Sequence, residues 1–124
     1  MRTIETTVHD VLAVCIVPSV GLQASVGEAV AVMRSQQASC VLVTEADELR
    51  GIFTERDFLV RVATPGLSLS ETLVTDVMTA NPETLQEPDS VAHGIHLMAE
   101  HGYRNVPIVD SVGSPVALLG VPEV

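Results

Sequence analysis

A hydroxyl and a carboxylate stand three positions apart at the end of a short apolar run. Residues 51–53 are Gly-Ile-Phe, Thr54 follows directly, and Asp57 comes three residues later. If a helix begins there, Thr54 is its N-cap and Asp57 occupies the third helical position. One interpretation of the pair is therefore a helix cap, in which both side chains satisfy backbone N–H groups at the positive end of the helix dipole.

The same pair is also suited to holding a ligand. A carboxylate has two oxygens, which can accept hydrogen bonds from the two adjacent hydroxyl groups of a ribose. Phosphate oxygens would meet the Thr54 hydroxyl and the unpaired N–H groups of the first helical turn. The local sequence leaves both interpretations open, and they are compatible, because Asp57 can cap its helix when no ligand is bound.

The elements that must position the pair occur twice along the chain. Residues 25–33 and 90–98 both begin with serine, an N-cap residue, and continue with apolar residues at helical spacing. In the first of these segments, Ser25 and Glu28 have the form of a capping box. The two segments therefore predict two equivalent helices, each with one apolar face.

Each predicted helix is followed by two predicted strands. The first strand of each pair, residues 40–45 or 105–110, is apolar and ends in an acid, and a short turn leads to the second strand. A trailing helix from Thr54 is predicted in the first copy only, because the second copy ends too soon for one. One copy is too small to bury its apolar face alone, so we expect the copies, residues 1–66 and 67–124, to pack on one another.

The composition disfavours two classes of partner. The chain has 124 residues, of which 47% are hydrophobic and 2% aromatic, so its core must consist of aliphatic side chains, which favours alternating strands and helices. Its formal net charge is −10, with 16 acidic and 6 basic residues. Such a surface repels phosphate backbones and anionic lipid, so we expect neither nucleic-acid binding nor membrane binding.

Neither the cysteines nor the apolar N-terminal run indicates a secreted protein. Cys15 and Cys40 lie in apolar surroundings with neither a disulfide-framework nor a metal-knuckle spacing, so we expect both to be buried as small hydrophobic residues. Acidic residues precede the apolar run 11–17 and Pro18 ends it, which argues against a signal peptide. No stretch is long enough to span a bilayer, and a cytoplasmic protein is therefore predicted.

Several segments resemble one known family. Residues 76–79 (Asp-Val-Met-Thr), 81–84 (Asn-Pro-Glu-Thr) and 101–110 (His-Gly-Tyr-Arg-Asn-Val-Pro-Ile-Val-Asp), together with 51–57, resemble the cystathionine-β-synthase (CBS) domain. Two such domains in tandem, covering roughly residues 8–124, resemble a Bateman module. The resemblance implies an α/β (α+β) fold with two repeats, each a small sheet with flanking helices, packed with pseudo-twofold symmetry.

The resemblance also implies a function. It predicts a regulatory protein, not an enzyme, that binds an adenosine nucleotide (AMP, ADP or ATP) in the cleft between the two repeats. Asp57 would hold the ribose and Thr54 a phosphate, while the adenine would lie in an apolar slot. The resemblance assigns the lining of this slot to Cys40, Val41 and Leu42, and its closure around the base to Thr79, Pro82 and Thr84. It assigns Ser39 and Arg56 to the surroundings of the phosphate.

Two departures from the family pattern weaken parts of this assignment. Ser39 stands where the second copy has Arg104 and where many members of the family have a base, although Arg56 could compensate. In the second copy, Gly120 and Glu123 replace the hydroxyl residue and the aspartate, so we expect a weaker site there. The residues assigned to that second site are Arg104, Pro107 and Glu123.

Two other interpretations remain open. One is a protein–protein interaction or dimerisation module without a small ligand, in which Thr54 and Asp57 only cap a helix. The other is a metal-dependent enzyme, because His93, His96 and Glu100 lie on one side of a predicted helix.

We expect no metal site, no catalytic residues and no cofactor besides the nucleotide, because no second element supplies ligands and no catalytic motif occurs. A homodimer and an unidentified effector protein are the expected assembly and partner.

Overall fold

The chain folds into two small α/β units. The computed structural model describes residues 18–86, 93, 96, 99–101 and 105–120. Pro18–Pro82 forms one compact unit, and the described residues from Glu83 onward belong to the other. Each unit has its own sheet and its own helical residues, so the predicted α/β class with two small sheets is confirmed.

The first unit is built on a four-stranded sheet. Its strands are β1 (Ser19–Gly21), β2 (Cys40–Glu45), β3 (Glu48–Thr54) and β4 (Thr79–Ala80), in that order across the sheet. β1 is parallel to β2, and the other neighbours are antiparallel. The helical elements are α1 (Val26–Ser35), α2 (Glu55–Asp57), a π-helix (Phe58–Ala63) that continues α2, and a 3-10 helix (Val74–Asp76). None of the described helices has the length and apolar character that crossing a bilayer requires.

Helix α1 begins at the predicted capping box. The Glu28 N–H donates to Ser25 Oγ (3.1 Å), and the Ser25 N–H donates to Glu28 Oε1 (3.3 Å). These bonds satisfy backbone donors that have no partner inside the helix, and Glu28 itself is exposed. On the opposite side of α1, Val26, Ala29 and Met33 are buried.

The core of the first unit joins α1 to one face of the sheet. The buried residues that form it are Ala24, Val26, Ala29, Met33, Val41, Val43, Phe53, Val62, Val74 and Val77. The expectation of a purely aliphatic core is therefore wrong at Phe53, whose ring is fully buried. Because successive side chains of a strand point to opposite faces, Leu42 and Ile52 point away from this core, yet they are buried as well. β2 is therefore covered on both faces, which explains why its first four residues are an unbroken apolar run.

The segment that follows Gly66 is bonded to the first unit. The Gly27 N–H donates to Leu69 O (2.8 Å), and the Val26 N–H donates to Thr72 O (2.9 Å). The boundary proposed from the sequence, after residue 66, assigned this segment to the second copy. That boundary stays a prediction, while in the structure residues 67–82 belong to the first compact unit.

Strand β4 lies close to β3 because residue 51 is a glycine. Gly51 is opposite Ala80 in the antiparallel pair. A Cβ atom at position 51 would overlap the Met78 thioether and would lie 3.0 Å from Thr79 O. The missing side chain therefore lets the chain enter β4 close beside β3, the strand that ends at Thr54.

The second unit repeats the strand pattern of the first. Its strands are β5 (Leu85–Gln86), β6 (Asn105–Val109) and β7 (Pro115–Gly120), with β5 parallel and β7 antiparallel to the central β6. Leu85 pairs with Ile108 as Ser19 pairs with Leu42 in the first unit. Among the described residues before β6, 93, 96 and 99–101 are helical. The strand repeat that the sequence predicts is thus present.

Candidate ligand-binding site

Thr54 and Asp57 form a capping box where β3 becomes α2. Thr54 has extended backbone angles (φ −110°, ψ 168°), and its Oγ1 accepts the Asp57 N–H at 3.1 Å. In return, the Thr54 N–H donates to Asp57 Oδ2, also at 3.1 Å. The capping interpretation is therefore realised in the structure, and it accounts for both residue types without a ligand.

Asp57 differs from its counterpart in the α1 capping box in its burial. Glu28 is exposed, whereas Asp57 is only 9% exposed. A buried carboxylate needs hydrogen-bond donors, because burying an unpaired charge is costly. Asp57 Oδ1 and Oδ2 lie 3.4 and 3.5 Å from Thr79 Oγ1, and Oδ1 lies 3.8 Å from Arg61 Nε. Asp57 thus connects the start of α2 to a strand 22 residues further along the chain.

The two oxygens of Asp57 are engaged to different degrees. Oδ2 accepts the Thr54 N–H at an ordinary hydrogen-bond distance. The contacts of Oδ1 with Thr79 and Arg61 are long for hydrogen bonds. Oδ1 can therefore accept a shorter bond from an incoming donor while Oδ2 keeps the helix capped.

Arg61 belongs to this site, although the sequence analysis did not include it. Its Nη1 donates to Met78 O (2.8 Å) and to Val77 O (3.3 Å), in addition to its contact with Asp57. The spacing of four residues between Asp57 and Arg61, which suits an ion pair on a helix, is the signal that could have identified it. The two carbonyl contacts carry no such signal, because every residue has a backbone carbonyl.

The residue that precedes β2 supplies a backbone acceptor to the same turn. Cys40 pairs with Thr54 across the β2–β3 ladder, and the Ser39 carbonyl accepts the Glu55 N–H at 3.0 Å. Two N–H groups of the first turn, those of Glu55 and Asp57, are thus already bonded. A phosphate at this helix end would therefore depend more on the Thr54 hydroxyl and on basic side chains than on these two N–H groups.

The β2 residues assigned to the adenine slot are fully buried. Cys40, Val41 and Leu42 are each 0% exposed, and Val41 belongs to the core that includes α1. Their side chains therefore serve packing in this structure. Burial raises the pKa of the Cys40 thiol to about 12, and the negative charge of Glu55 adds to the rise.

Cys40 is expected to resist thiol reagents while the protein is folded. In a Cys15→Ser variant, which leaves Cys40 as the single thiol, an aromatic disulfide reagent at pH 8 should label the folded chain at least about 100-fold more slowly than the chain in denaturant, because only an accessible thiolate reacts. Since the pKa is raised on folding, the stability associated with this thiol is present below pH 9 and is lost as the pH rises from 9 towards 12. Equal labelling rates with and without denaturant would contradict this burial.

The structure brings part of the predicted set together within the first unit. Thr54, Asp57 and Thr79 are in contact through side-chain atoms. Arg56 is exposed on α2, and Pro82 is half-buried at the end of the unit. The resemblance assigns Thr79 to the region of the base. In the structure, the Thr79 hydroxyl lies beside the Asp57 carboxylate, which the resemblance assigns to the ribose.

The remaining assigned residues belong to the second half of the chain. Thr84 is half-buried, and Pro107 is buried on β6. Arg104 and Glu123 lie outside the described residues. Their contribution to a ligand site stays a prediction.

The second unit has a glycine at the strand position that corresponds to Thr54. Gly120 pairs with Asn105 at the end of the β6–β7 ladder, just as Thr54 pairs with Cys40 at the end of the β2–β3 ladder. Because glycine has no hydroxyl, this strand end cannot form the same capping box. The two units therefore differ at the point where the first unit has its candidate site.

Two of the three potential metal ligands in the second unit, His96 and Glu100, are in close contact. His96 Nε2 lies 2.8 Å from Glu100 Oε2, and both side chains are exposed. Within the part of the chain that the structure describes, no group of three or more potential metal ligands converges, His93 included. The His96–Glu100 pair is what a spacing of four residues produces on an exposed helix face.

The repeated strand pattern corresponds to a repeated match in the sequence. The family model of the CBS domain matches residues 8–64 and 74–121 of the chain. The chain therefore belongs to the CBS domain family. Since the model matches both halves, the predicted tandem is confirmed.

Relatives and solved structures agree with this assignment. The chain is 42% identical over 88 residues to the CBS domain-containing protein CBSCBSPB1 of Arabidopsis thaliana, a match that covers 71% of this chain and 16% of that protein. The CBS-domain containing protein ATU1752 from Agrobacterium tumefaciens is 30% identical, with 93% of each chain covered and a TM-score of 0.81. The CBS domain protein PAE2072 from Pyrobaculum aerophilum, solved in complex with AMP, is 21% identical, with 84% of this chain and 79% of that chain covered and a TM-score of 0.78. The last likeness shows the fold alone.

Proposed function

We propose that this chain is a regulatory, non-catalytic module that binds AMP, ADP or ATP at the turn from Thr54 to Asp57. The observation that carries the proposal is the buried Asp57 carboxylate, of which one oxygen completes the cap and the other makes only long contacts. A cap alone does not require such burial, since Glu28 performs the same task on the surface. Membership of the CBS family and the AMP complex of the Pyrobaculum protein support the class of ligand.

Asp57 would hold the ribose. A ribose hydroxyl that donates to Oδ1 at about 2.7 Å would make a stronger bond than the 3.4 Å contact from Thr79, because hydrogen bonds to ionised acceptors are short. The adjacent hydroxyl would donate to Oδ2, which can accept a second bond beside the Thr54 N–H. Recognition of two neighbouring hydroxyls by one carboxylate would distinguish a ribose from a deoxyribose.

Thr54 and Arg56 would hold the phosphate. Thr54 Oγ1 accepts the Asp57 N–H, and its own hydroxyl proton can be donated to a phosphate oxygen. Arg56 is exposed one residue before Asp57 and carries the positive charge that Ser39 lacks. A guanidinium group suits this task because its N–H groups match the geometry of a phosphate.

The base and a second site complete the proposal. The residues that would surround the base are Cys40, Val41, Leu42, Thr79, Pro82 and Thr84. Because the three β2 residues among them are buried, they would support the site from beneath instead of presenting side chains to the ligand. A second, weaker site would use Arg104, Pro107 and Glu123 without a hydroxyl at position 120.

Regulation by such a module requires two states with different affinities. A nucleotide that binds one arrangement of the protein more tightly shifts the population towards that arrangement. We propose that the chain acts in the cytoplasm as a homodimer and passes this change to an effector protein. The chain spans 16% of the length of its Arabidopsis relative, so the activity of any longer protein is a separate matter.

Two observations favour a second candidate function, a protein–protein interaction module without a small ligand. The capping box at Thr54 and Asp57 is complete with no ligand bound. Leu59 and Val60 of the π-helix are each 60% exposed. Neighbouring exposed apolar side chains are suited to contact with another protein.

A thermal-shift screen separates the two functions. We expect AMP, ADP or ATP at millimolar concentration to raise the melting temperature by several degrees, since a ligand at about 100 times its dissociation constant stabilises the folded state by about 2.7 kcal/mol. GMP and S-adenosylmethionine serve as comparison ligands. If none of the three adenosine nucleotides shifts the melting temperature, the nucleotide proposal is wrong and the interaction module becomes the better explanation.

A further inference from the structure

Arg61 connects the helical segment after β3 to the chain that leads into β4. Its Nη1 donates to the carbonyls of Met78 (2.8 Å) and Val77 (3.3 Å), which immediately precede Thr79. Its Nε lies 3.8 Å from Asp57 Oδ1. One guanidinium group therefore touches both the carboxylate of the site and the backbone that presents the Thr79 hydroxyl to that carboxylate.

The carbonyl contacts are the stronger part of this arrangement. The Arg61 side chain is 48% exposed, and an ion pair at 3.8 Å in such a place contributes little, because water screens it. A hydrogen bond from a charged donor to a backbone carbonyl at 2.8 Å is directional and charge-assisted. The planar guanidinium places Nη1 at both carbonyls while its Nε faces Asp57, an arrangement that the single nitrogen of a lysine does not reproduce.

The segment that Arg61 holds is also fixed by Val77, which is buried in the core, and by the N–H groups of Val77 and Met78, which donate to Val74 O (3.2 and 2.9 Å). Its pairing with β3, however, is short. β4 consists of two residues and pairs with β3 at two positions, Gly51 with Ala80 and Ile52 with Thr79. Such a short ladder leaves the neighbouring chain dependent on other contacts. Arg61 adds side-chain hydrogen bonds to the carbonyls of the two residues before Thr79, which the backbone bonds of this segment do not supply.

We infer that Arg61 is a positioning residue of the ligand site, which holds the Val77–Thr79 segment so that Asp57 meets the ribose in the correct place. The inference rests on the proposed nucleotide site and adds a residue to it. Arg61 itself need not touch the ligand. Arg61 would change the affinity through the positions of Asp57 and Thr79. Its loss would therefore weaken recognition of the ribose hydroxyls and leave recognition of the phosphate unchanged.

The test compares Arg61→Met with a matched control, Arg50→Met. Arg50 is 46% exposed and contacts Glu45 and Glu48, both at 3.4 Å, on the β2–β3 hairpin. The two substitutions thus remove arginines of similar exposure that differ in their contact with the site. Arg61→Lys, which retains the charge, should restore part of what Arg61→Met loses.

The first readout needs no nucleotide. Backbone amide exchange is followed by NMR at Met78 and Asn81, whose N–H groups donate to Val74 O (2.9 Å) and Arg50 O (3.1 Å). In Arg61→Met, these two amides should exchange about tenfold faster than in the wild-type protein, because charge-assisted bonds to the segment are lost. In Arg50→Met they should exchange at the wild-type rate, because the Arg50 carbonyl that accepts the Asn81 N–H is a backbone group that the substitution retains. Unchanged exchange in Arg61→Met overturns the inference.

The second readout is the ratio of the affinities for AMP and 2′,3′-dideoxy-AMP, measured by calorimetric titration. The wild-type protein should prefer AMP, and Arg61→Met should reduce that preference about tenfold while dideoxy-AMP affinity changes little. A merely structural loss would lower both affinities equally and leave the ratio unchanged, and that result also overturns the inference. If the wild-type protein binds neither nucleotide, both the proposed function and the role of Arg61 in ligand binding are wrong. If the wild-type protein binds AMP but Arg61→Met leaves the ratio of the two affinities unchanged, only the positioning role of Arg61 is wrong.

Discussion

Replacing Asp57 by alanine is expected to weaken AMP binding by about a hundredfold or more. The substitution removes the acceptor of two ribose hydroxyls, and a hydrogen bond to a charged group contributes about 1.5–3 kcal/mol. Calorimetric titration of the wild-type protein and Asp57→Ala gives the two dissociation constants directly. Equal affinities would refute the assignment of Asp57 to the ribose.

The chain offers its own control for this experiment, because the described residues include a second capping box, that of Ser25 and Glu28. Glu28→Ala removes the carboxylate of the α1 box, which lies on the surface and has no proposed ligand. Loss of one capping interaction should cost about 1 kcal/mol of stability. Asp57→Ala should cost more, since Asp57 also contacts Thr79 and Arg61. Affinity for AMP should fall only in Asp57→Ala, so a parallel loss in Glu28→Ala would indicate a general effect on folding.

Phe53→Ala is expected to be the most destabilising single substitution considered for the first unit. Phe53 is 0% exposed and pairs with Val41 across the β2–β3 ladder, inside the core that includes α1. Removing a buried aromatic ring leaves a cavity and costs about 3–5 kcal/mol. That loss is a large fraction of the stability of about 5–15 kcal/mol that a domain has.

Urea unfolding followed by circular dichroism measures this loss. Leu59→Ala is the control, because Leu59 is 60% exposed and its truncation should change the free energy of unfolding by no more than about 0.5 kcal/mol. If Phe53→Ala costs less than about 1 kcal/mol, the ring is not packed as the structure describes.

The parts of this molecule that were predictable from sequence are those with local signals. Both capping boxes follow from residue types three positions apart, and the structure contains both. The apolar run at the start of β2 is likewise a local pattern, and β2 is buried on both of its faces. The family assignment also came from contiguous segments, and the matching family model confirms it.

The parts that were not predictable depend on backbone contacts between distant segments. Thr79 reaches Asp57 only because β4 pairs with β3. Gly51 permits that pairing, but a glycine in the sequence does not by itself predict which strand will lie beside it. The carbonyls that Arg61 contacts are chemically the same in every residue.

The π-helix after α2 has a consequence for comparing this chain with related modules. The Thr64 N–H donates to Leu59 O, five residues back, so each such bond spans one residue more than in an α-helix. A module with an α-helix here would present its residues about 100° further round the axis from that point on. An alignment with such a module should therefore admit a one-residue insertion or deletion between Phe58 and Ala63. Deleting one residue from Phe58–Ala63 would change the direction in which the following residues leave the helix, by about 100° around its axis, and would leave Thr54 and Asp57 in place.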